Sequence, residues 1–301
     1  MRDKRGSLTI INEKLDINGV DLARSEFISD AIYDFKLRDR KDKKSLDITV
    51  PLIFNKGIED KIINITDFDM LVMGAFYNMY IKNYKDNIEE PNIVYLSDIY
   101  MRIHSTDKPQ KTQREKIKKS IAKLRDTRVN IDYSNFLKNE EMKKRYGEQK
   151  LFNDLWRLKR DDMALLHCKE QEYIQEYNKK IMTRYVLQGL PLLNIATIKD
   201  RYFTVEPEVF NKITLSNTSI SVTNYLLRQL NAKQDILTFK TIIENTNLTK
   251  DRNRRYAETV YTCLANIKST TNNLFKTFKT VDAKNNETLV KKDIEKIKII
   301  Y

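Results

Sequence analysis

Hydrophobic positions recur along this 301-residue chain in two rhythms, and the changes of rhythm divide it into elements. From Asp21 to Ser45 the apolar residues Leu22, Phe27, Ile28, Ala31, Ile32 and Phe35 keep helical spacing. That segment runs out into KLRDRKDKK, which reads either as a solvated linker or as a basic arm for a phosphate backbone. Leu46–Phe54 alternates as a strand does. Ile65–Tyr84 predicts a helix: Thr66 can cap it, Asp69 stands where a carboxylate reaches back to the cap, and Leu71, Val72, Ala75, Met79 and Tyr80 form an apolar face. Leu96, Ile99, Tyr100 and Ile103 mark one side of a short helix. A polar turn with Pro109 follows, and Thr112 is placed to cap the next helix, whose Ile117, Ile121 and Leu124 make one buried stripe. Val129–Tyr133 alternates again.

Asn135–Lys180 is charged and built of helix-forming residues, so it reads as an insertion or a long wing, with Trp156 as a packing anchor. Arg184–Ile198 is apolar and β-rich, and Tyr202–Val205 is expected to return against it. A second series follows. Ile220–Leu230 turns Val222, Tyr225, Leu226 and Leu230 inward, and Thr238–Asn245 is a short capped helix. After the polar turn TNLTKD, Arg252–Ile267 places Tyr256, Val260, Leu264 and Ile267 on one side. Leu274–Val281 and Ile294–Ile300 alternate around the tip AKNNE.

Twice, then, a short helix, a polar turn, a longer helix and an alternating run succeed one another. This is the order of a helix-turn-helix followed by a wing. The expected fold is α+β and mainly helical: a tail and helix over 1–45, a first winged-helix domain over 46–205 with a helical insertion near 135–180, and a second winged-helix domain over 206–301.

Charge then suggests what such domains meet. The chain carries 55 Lys and Arg against 42 Asp and Glu, a net charge of +13, which favours a polyanionic partner. From Lys108 to Arg128 there are nine basic and two acidic residues. Counting about 100° per residue from the apolar stripe, Lys116, Lys119 and Lys123 are expected on the opposite side, flanked by Arg114, Lys118 and Arg125, with Lys108 and Lys111 leading in. In the second series Lys250, Arg252, Asn253, Arg254 and Arg255 crowd the N-terminal turn, the part of a recognition helix that reaches base edges.

The absences narrow the chemistry. No G-x-x-x-x-G-K-[ST] occurs, which argues against an ATPase or helicase. His104 and His167 are the only histidines, His104 reading as a polar surface or cap residue. His167 and Cys168 lack two further ligands at zinc spacing. Asp161–Asp162 reads as part of a solvated face. Neither catalysis nor a metal or other cofactor is expected. Cys168 and Cys263 lie far apart, fitting a reducing cytoplasm. No apolar run approaches a membrane span, and the N-terminus lacks the apolar core of a signal peptide.

The segment YFTVEPEVFNKI followed by ISVTNYLLRQL resembles the inter-domain passage of theta-type plasmid replication initiator (Rep) proteins, and the closing IEKIKIIY resembles their final wing strand. The resemblance covers roughly Leu46–Tyr301. It implies a sequence-specific binder of double-stranded origin DNA that opens an AT-rich tract by binding and bending. It further implies recruitment of a host replicative helicase or its loader, pairing with a second copy through the first domain, and no catalysis. Lys250–Arg255 would read bases and Lys108–Arg125 would mainly touch phosphates. The alternatives are a transcriptional regulator, a phage replication accessory protein and, further off, a nicking or strand-transfer enzyme using Tyr and carboxylates.

Overall fold

The computed structural model describes residues 22–25, 52–54, 65–86, 88–132, 160–177, 179–188, 202–205, 208–211, 216–246, 253–271, 274–289 and 294–301. The chain divides into two compact units, 1–204 and 205–301, and the described residues are α+β in both.

The first unit is built around one helix, α1 (Asp67–Lys85). Its start is fixed by the side chains the sequence singles out. Thr66 donates its N–H (2.7 Å) and its hydroxyl (2.8 Å) to Asp69 Oδ2, and the Asp69 N–H donates to Thr66 Oγ1 at 3.3 Å. This reciprocal box satisfies N–H groups that a helix start leaves orphaned. Beyond it the expected one-sided face gives way to burial on every side: all ten residues from Leu71 to Tyr80 are buried. A helix apolar all round is a core helix, and the run Met70–Ala75 with Phe76, Tyr77, Met79, Tyr80 and Ile81 supplies the surface for it. Its neighbours are β1 (Leu22–Ser25), β3 (Ile93–Tyr95), α2 (Leu96–His104) and α3 (Lys111–Asp126).

β3 runs into α2 without a loop, and Ser105 ends α2 in the left-handed region, its N–H bonded to Met101 O at 2.9 Å. α3 starts two residues earlier than a Thr112 cap would allow. Gln113 reaches back, its Oε1 accepting the Gln110 N–H at 2.9 Å, and Thr112 is an exposed first-turn residue. The stripe is as spaced: Ile117, Ser120, Ile121 and Leu124 are buried.

After α3 the chain forms β4 (Arg128–Asp132), which pairs antiparallel with β2 (Leu52–Phe54) and with β5 (Arg160–Ala164). β5 then docks on the end of α3: the Leu165 N–H donates to Thr127 O at 2.9 Å and the Leu166 N–H to Leu124 O at 3.2 Å. Next comes a hairpin of β6 (Cys168–Ile174) and β7 (Ile181–Leu187), which joins β3 in a sheet ordered β3-β7-β6.

Four expectations change here. Within 135–180, residues 160–164 and 168–174 are strands, not helix. The helix preference of Glu, Gln and Lys is a weak prior, and a full cross-strand ladder from Cys168↔Leu187 to Ile174↔Ile181 overrides it. The strand directly after α3 belongs to a separate sheet, so the hairpin on the β3 sheet is β6–β7. Leu22–Ser25 is a strand where helical spacing was expected, and the remainder of Asp21–Ser45 lies outside the described residues. β8 (Tyr202–Val205) pairs with that β1 and not with the described part of Arg184–Ile198, residues 184–188. A stretch of only four residues fits either period, and the available partner decides it. Trp156 also lies outside the described residues.

The second unit contains α4 (Glu208–Asn211), α5 (Asn217–Asn231), β9 (Ile236–Thr238), α6 (Phe239–Glu244), α7 (Asn253–Thr270), β10 (Thr277–Val281) and β11 (Lys296–Ile300). Ser216 caps α5 by accepting the Ser219 N–H at 3.1 Å, and Thr238 caps α6 by accepting the Thr241 N–H at 3.1 Å. α5 buries Val222, Leu226 and Leu230 against Val260, Leu264 and Ile267 of α7, while Tyr225 stays half-buried. The hairpin turn is tied by Asp282, whose Oδ1 accepts the N–H groups of Lys284 (2.9 Å) and Asn286 (2.8 Å). Its sheet runs β10-β11-β9.

The two units therefore share one plan: long helix, strand, short helix, longer helix, two strands, with the first strand paired to the last. In both, that first strand leads straight into the short helix. The first unit differs by carrying β4 and β5 between the longer helix and the hairpin.

Candidate nucleic-acid interface

The charge-dense helix α3 does not present all its cations outward. α1 starts beside it, and the flank bearing positions 116 and 123, two turns apart, meets that start. Lys123 Nζ lies 2.7 Å from Asp69 Oδ2, and Lys116 Nζ sits 3.9 Å from the centre of the Phe68 ring. Partial burial lowers the Lys116 pKa, and Asp69 opposes that shift. Asp69 is only 2% exposed, so its carboxylate needs partners in place of water. It has three, the Thr66 N–H, the Thr66 hydroxyl and the Lys123 ammonium. On the other flank Arg125 Nη1 bonds Glu170 Oε2 of β6 at 2.7 Å.

Of the eight basic residues expected around α3, Lys123 and Arg125 are thus paired within the unit, and Lys116 lies over Phe68 while remaining exposed. Lys116 and Lys123 stand on a flank of the stripe and not opposite it: Lys123 is half-buried against the start of α1, and Lys116 stays exposed above Phe68. Lys108, Lys111, Arg114, Lys118 and Lys119 are exposed, Lys111 making a loose pair with Glu115 at 4.0 Å. An exposed pair of that kind contributes little. Around Lys118 and Lys119 the outer surface also holds Ala122, Glu115 and Asp126. It is a small-centred, mixed surface with a basic excess.

In the second unit Asn253, Arg254 and Arg255 are the first three residues of α7. They share one helical turn, while their side chains, with Lys250 and Arg252, lie outside the described residues. Sequence reasoning missed the cations on the β10–β11 hairpin of the same unit. Lys279 pairs with Glu287 at 2.9 Å and Lys296 Nζ lies 3.2 Å from Asn285 Oδ1, so both brace the turn.

His104 is the last residue of α2 and half-buried, and its Nε2 makes no hydrogen bond. Burial, and then the charge of Lys116, push its pKa below the ordinary 6.5. Cys168 is buried, which pushes its thiol up to about 12 and keeps it protonated. Among the described residues no three His, Cys, Asp or Glu side chains converge on one point. Asp161 and Asp162 stand on β5, paired with Ile131 and Asn130. Among the described residues no helix is long and apolar enough to cross a membrane. Compared with protein-family models, with curated proteins and with solved structures, the chain matches none of them.

Proposed function

We propose that this protein binds double-stranded DNA through two winged-helix units and acts by binding, without chemistry of its own. The observation that carries this reading is the plan repeated in the two units, helix–strand–helix–helix–hairpin with the first strand on the last, on a chain of net charge +13. In such units the third helix enters the major groove and the hairpin lies over the backbone beside it. Here those helices are α3 and α7. α3 offers Lys118, Lys119 and Arg114 to phosphates, and α7 offers Asn253, Arg254 and Arg255 at the end that meets base edges. Charge is denser in the second unit, where 16 Lys and Arg face 10 Asp and Glu over residues 205–301.

Within this class we favour a replication initiator of the theta-type Rep kind over a transcriptional regulator. The sequence resemblance at 202–230 and 294–301 motivates that choice, together with the partners it implies: a host helicase or its loader, and a second copy of the chain. Footprinting on the DNA that flanks the gene tests it. An initiator protects short direct repeats beside an AT-rich tract. Protection of a single promoter-like site would favour the regulator. An absence of protected sites, with binding insensitive to salt, would sink DNA binding altogether. If about six to ten phosphates are neutralised, affinity drops on the order of 10³–10⁵-fold between 50 and 200 mM salt. Incubation with supercoiled plasmid and Mg²⁺ or Mn²⁺ should leave it unnicked; nicks or covalent adducts would overturn the non-enzymatic reading.

A further inference from the structure

The β6–β7 hairpin ends in apolar side chains held out into solvent. Ile174 and Ile181 are cross-strand partners, 63% and 67% exposed, and Tyr177 on the turn is 81% exposed. Lys179 and Lys180 follow on the same turn, both exposed. The turn is closed by the Gln175 N–H to Lys180 O (2.9 Å) and the Lys179 N–H to Gln175 O (2.8 Å), with Lys179 in the left-handed region.

This tip is presented stiffly. On one face of the hairpin Tyr173 packs on Tyr95 with ring centres 5.6 Å apart, Arg184 lies over Tyr173, and the Arg184 Nε–H donates to Gln171 Oε1 at 3.0 Å. The other face carries, in alternation, Cys168, Glu170, Glu172 and Ile174. Glu170 is the residue that Arg125 of α3 grips. Four residues further out, at roughly 3.3 Å each, Ile174 stands about 13 Å beyond that ion pair, on the side that faces the helix. A polyanion lying along the exposed cations of α3 would meet Ile174 and Ile181, with Lys179 and Lys180 beside them.

We propose that this tip is a wedge for duplex DNA: Ile174 and Ile181 enter a base step from the minor groove, partly unstack it and bend the duplex, while Lys179 and Lys180 take the flanking phosphates. The inference rests on the DNA-binding reading above. Apolar side chains inserted between base steps kink DNA in this way, and lysines next to them supply the charge complementarity that a purely apolar surface lacks. Glu172, exposed on the same face, repels phosphate and confines close approach to the tip.

The test uses the full chain and an AT-rich duplex of about 100 bp, shorter than the persistence length, so that ligase closes it into circles only when it is bent. Wild type should raise the circle yield on the order of tenfold. Ile174→Ala plus Ile181→Ala, both at exposed positions, should abolish that rise while affinity measured by fluorescence anisotropy stays within about threefold. Glu172→Gln should tighten binding. If the double variant circularises DNA as well as wild type, or if wild type binds without raising the yield, the wedge falls and DNA binding stands. If wild type does not bind the duplex at all, both fall. Sedimentation showing that the double variant only breaks a dimer, or flotation showing that it only releases anionic phosphatidylglycerol vesicles, would also overturn the wedge.

Discussion

Lys123 of α3 places its ammonium 2.7 Å from the carboxylate of Asp69, the residue that completes the cap of α1. One side chain therefore serves two elements: it ends the orphaned N–H groups of the core helix and anchors the basic helix beside it. A double-mutant cycle of Asp69→Asn and Lys123→Met, followed by urea unfolding, should show coupling of about 1–2 kcal/mol, below the range for a fully buried pair because Lys123 is one-third exposed. The coupling should persist at high salt. Additive effects would mean that the pair contributes nothing beyond its parts.

The cations on α3 should separate by place. Lys118→Ala plus Lys119→Ala should weaken binding to all DNA sequences alike and reduce the slope of log affinity against log salt by about 2. Lys123→Met should change stability more than that slope. Arg254→Ala plus Arg255→Ala should instead erase the preference for the cognate site while leaving weak general binding. Competition titrations with specific and unrelated duplexes, at several salt concentrations, read all three.

Acid should weaken the first unit partly through His104. Its folded pKa lies below the ordinary 6.5, so the folded state takes up its proton less readily than the unfolded one. The stability associated with neutral His104 is present above the ordinary value and is lost as pH falls through the lowered folded value. Urea midpoints of wild type and His104→Asn, measured from pH 7.5 downward, should diverge by a constant amount near neutrality and approach one another below about 6.5. A difference that stays flat across the range would show that His104 does not titrate differently on folding.

Caps give a control on the fold itself. Thr238→Ala should cost about 1 kcal/mol, since it removes the acceptor for the Thr241 N–H. Thr112→Ala should be neutral within a few tenths of a kcal/mol, because α3 is capped through Gln113. Equal costs at the two sites would contradict the cap assignment.

The elements that sequence foretold are those whose signal is local. Thr66 and Asp69 stand three residues apart and find each other without help from the fold. Ile117, Ile121 and Leu124 lie on one side of α3 by the geometry of the helix alone, and Thr238 caps α6 in the same local way. What sequence could not give depends on partners distant in the chain. Residues 168–174 carry helix-favouring side chains and become a strand because 181–187, itself held on its other edge by 93–95, lies alongside. Lys123 looks solvated on a helical wheel and is drawn to Asp69 where α1 starts beside α3. At the proposed interface the positions of Lys118, Lys119 and the first turn of α7 were readable, whereas the apolar hairpin tip was hidden inside a segment whose composition argued for helix.

The pairing of β4 with β5 has a further consequence. Asp132 and Arg160 are cross-strand partners, so the two ends of the 27-residue stretch 133–159 lie side by side in the sheet. The join is also fastened below, where the Leu165 and Leu166 N–H groups bond the end of α3. Such an arrangement sets the two strand ends at the separation that a short hairpin turn spans. A two-residue turn between them would close β4 and β5 into a hairpin without moving either strand end.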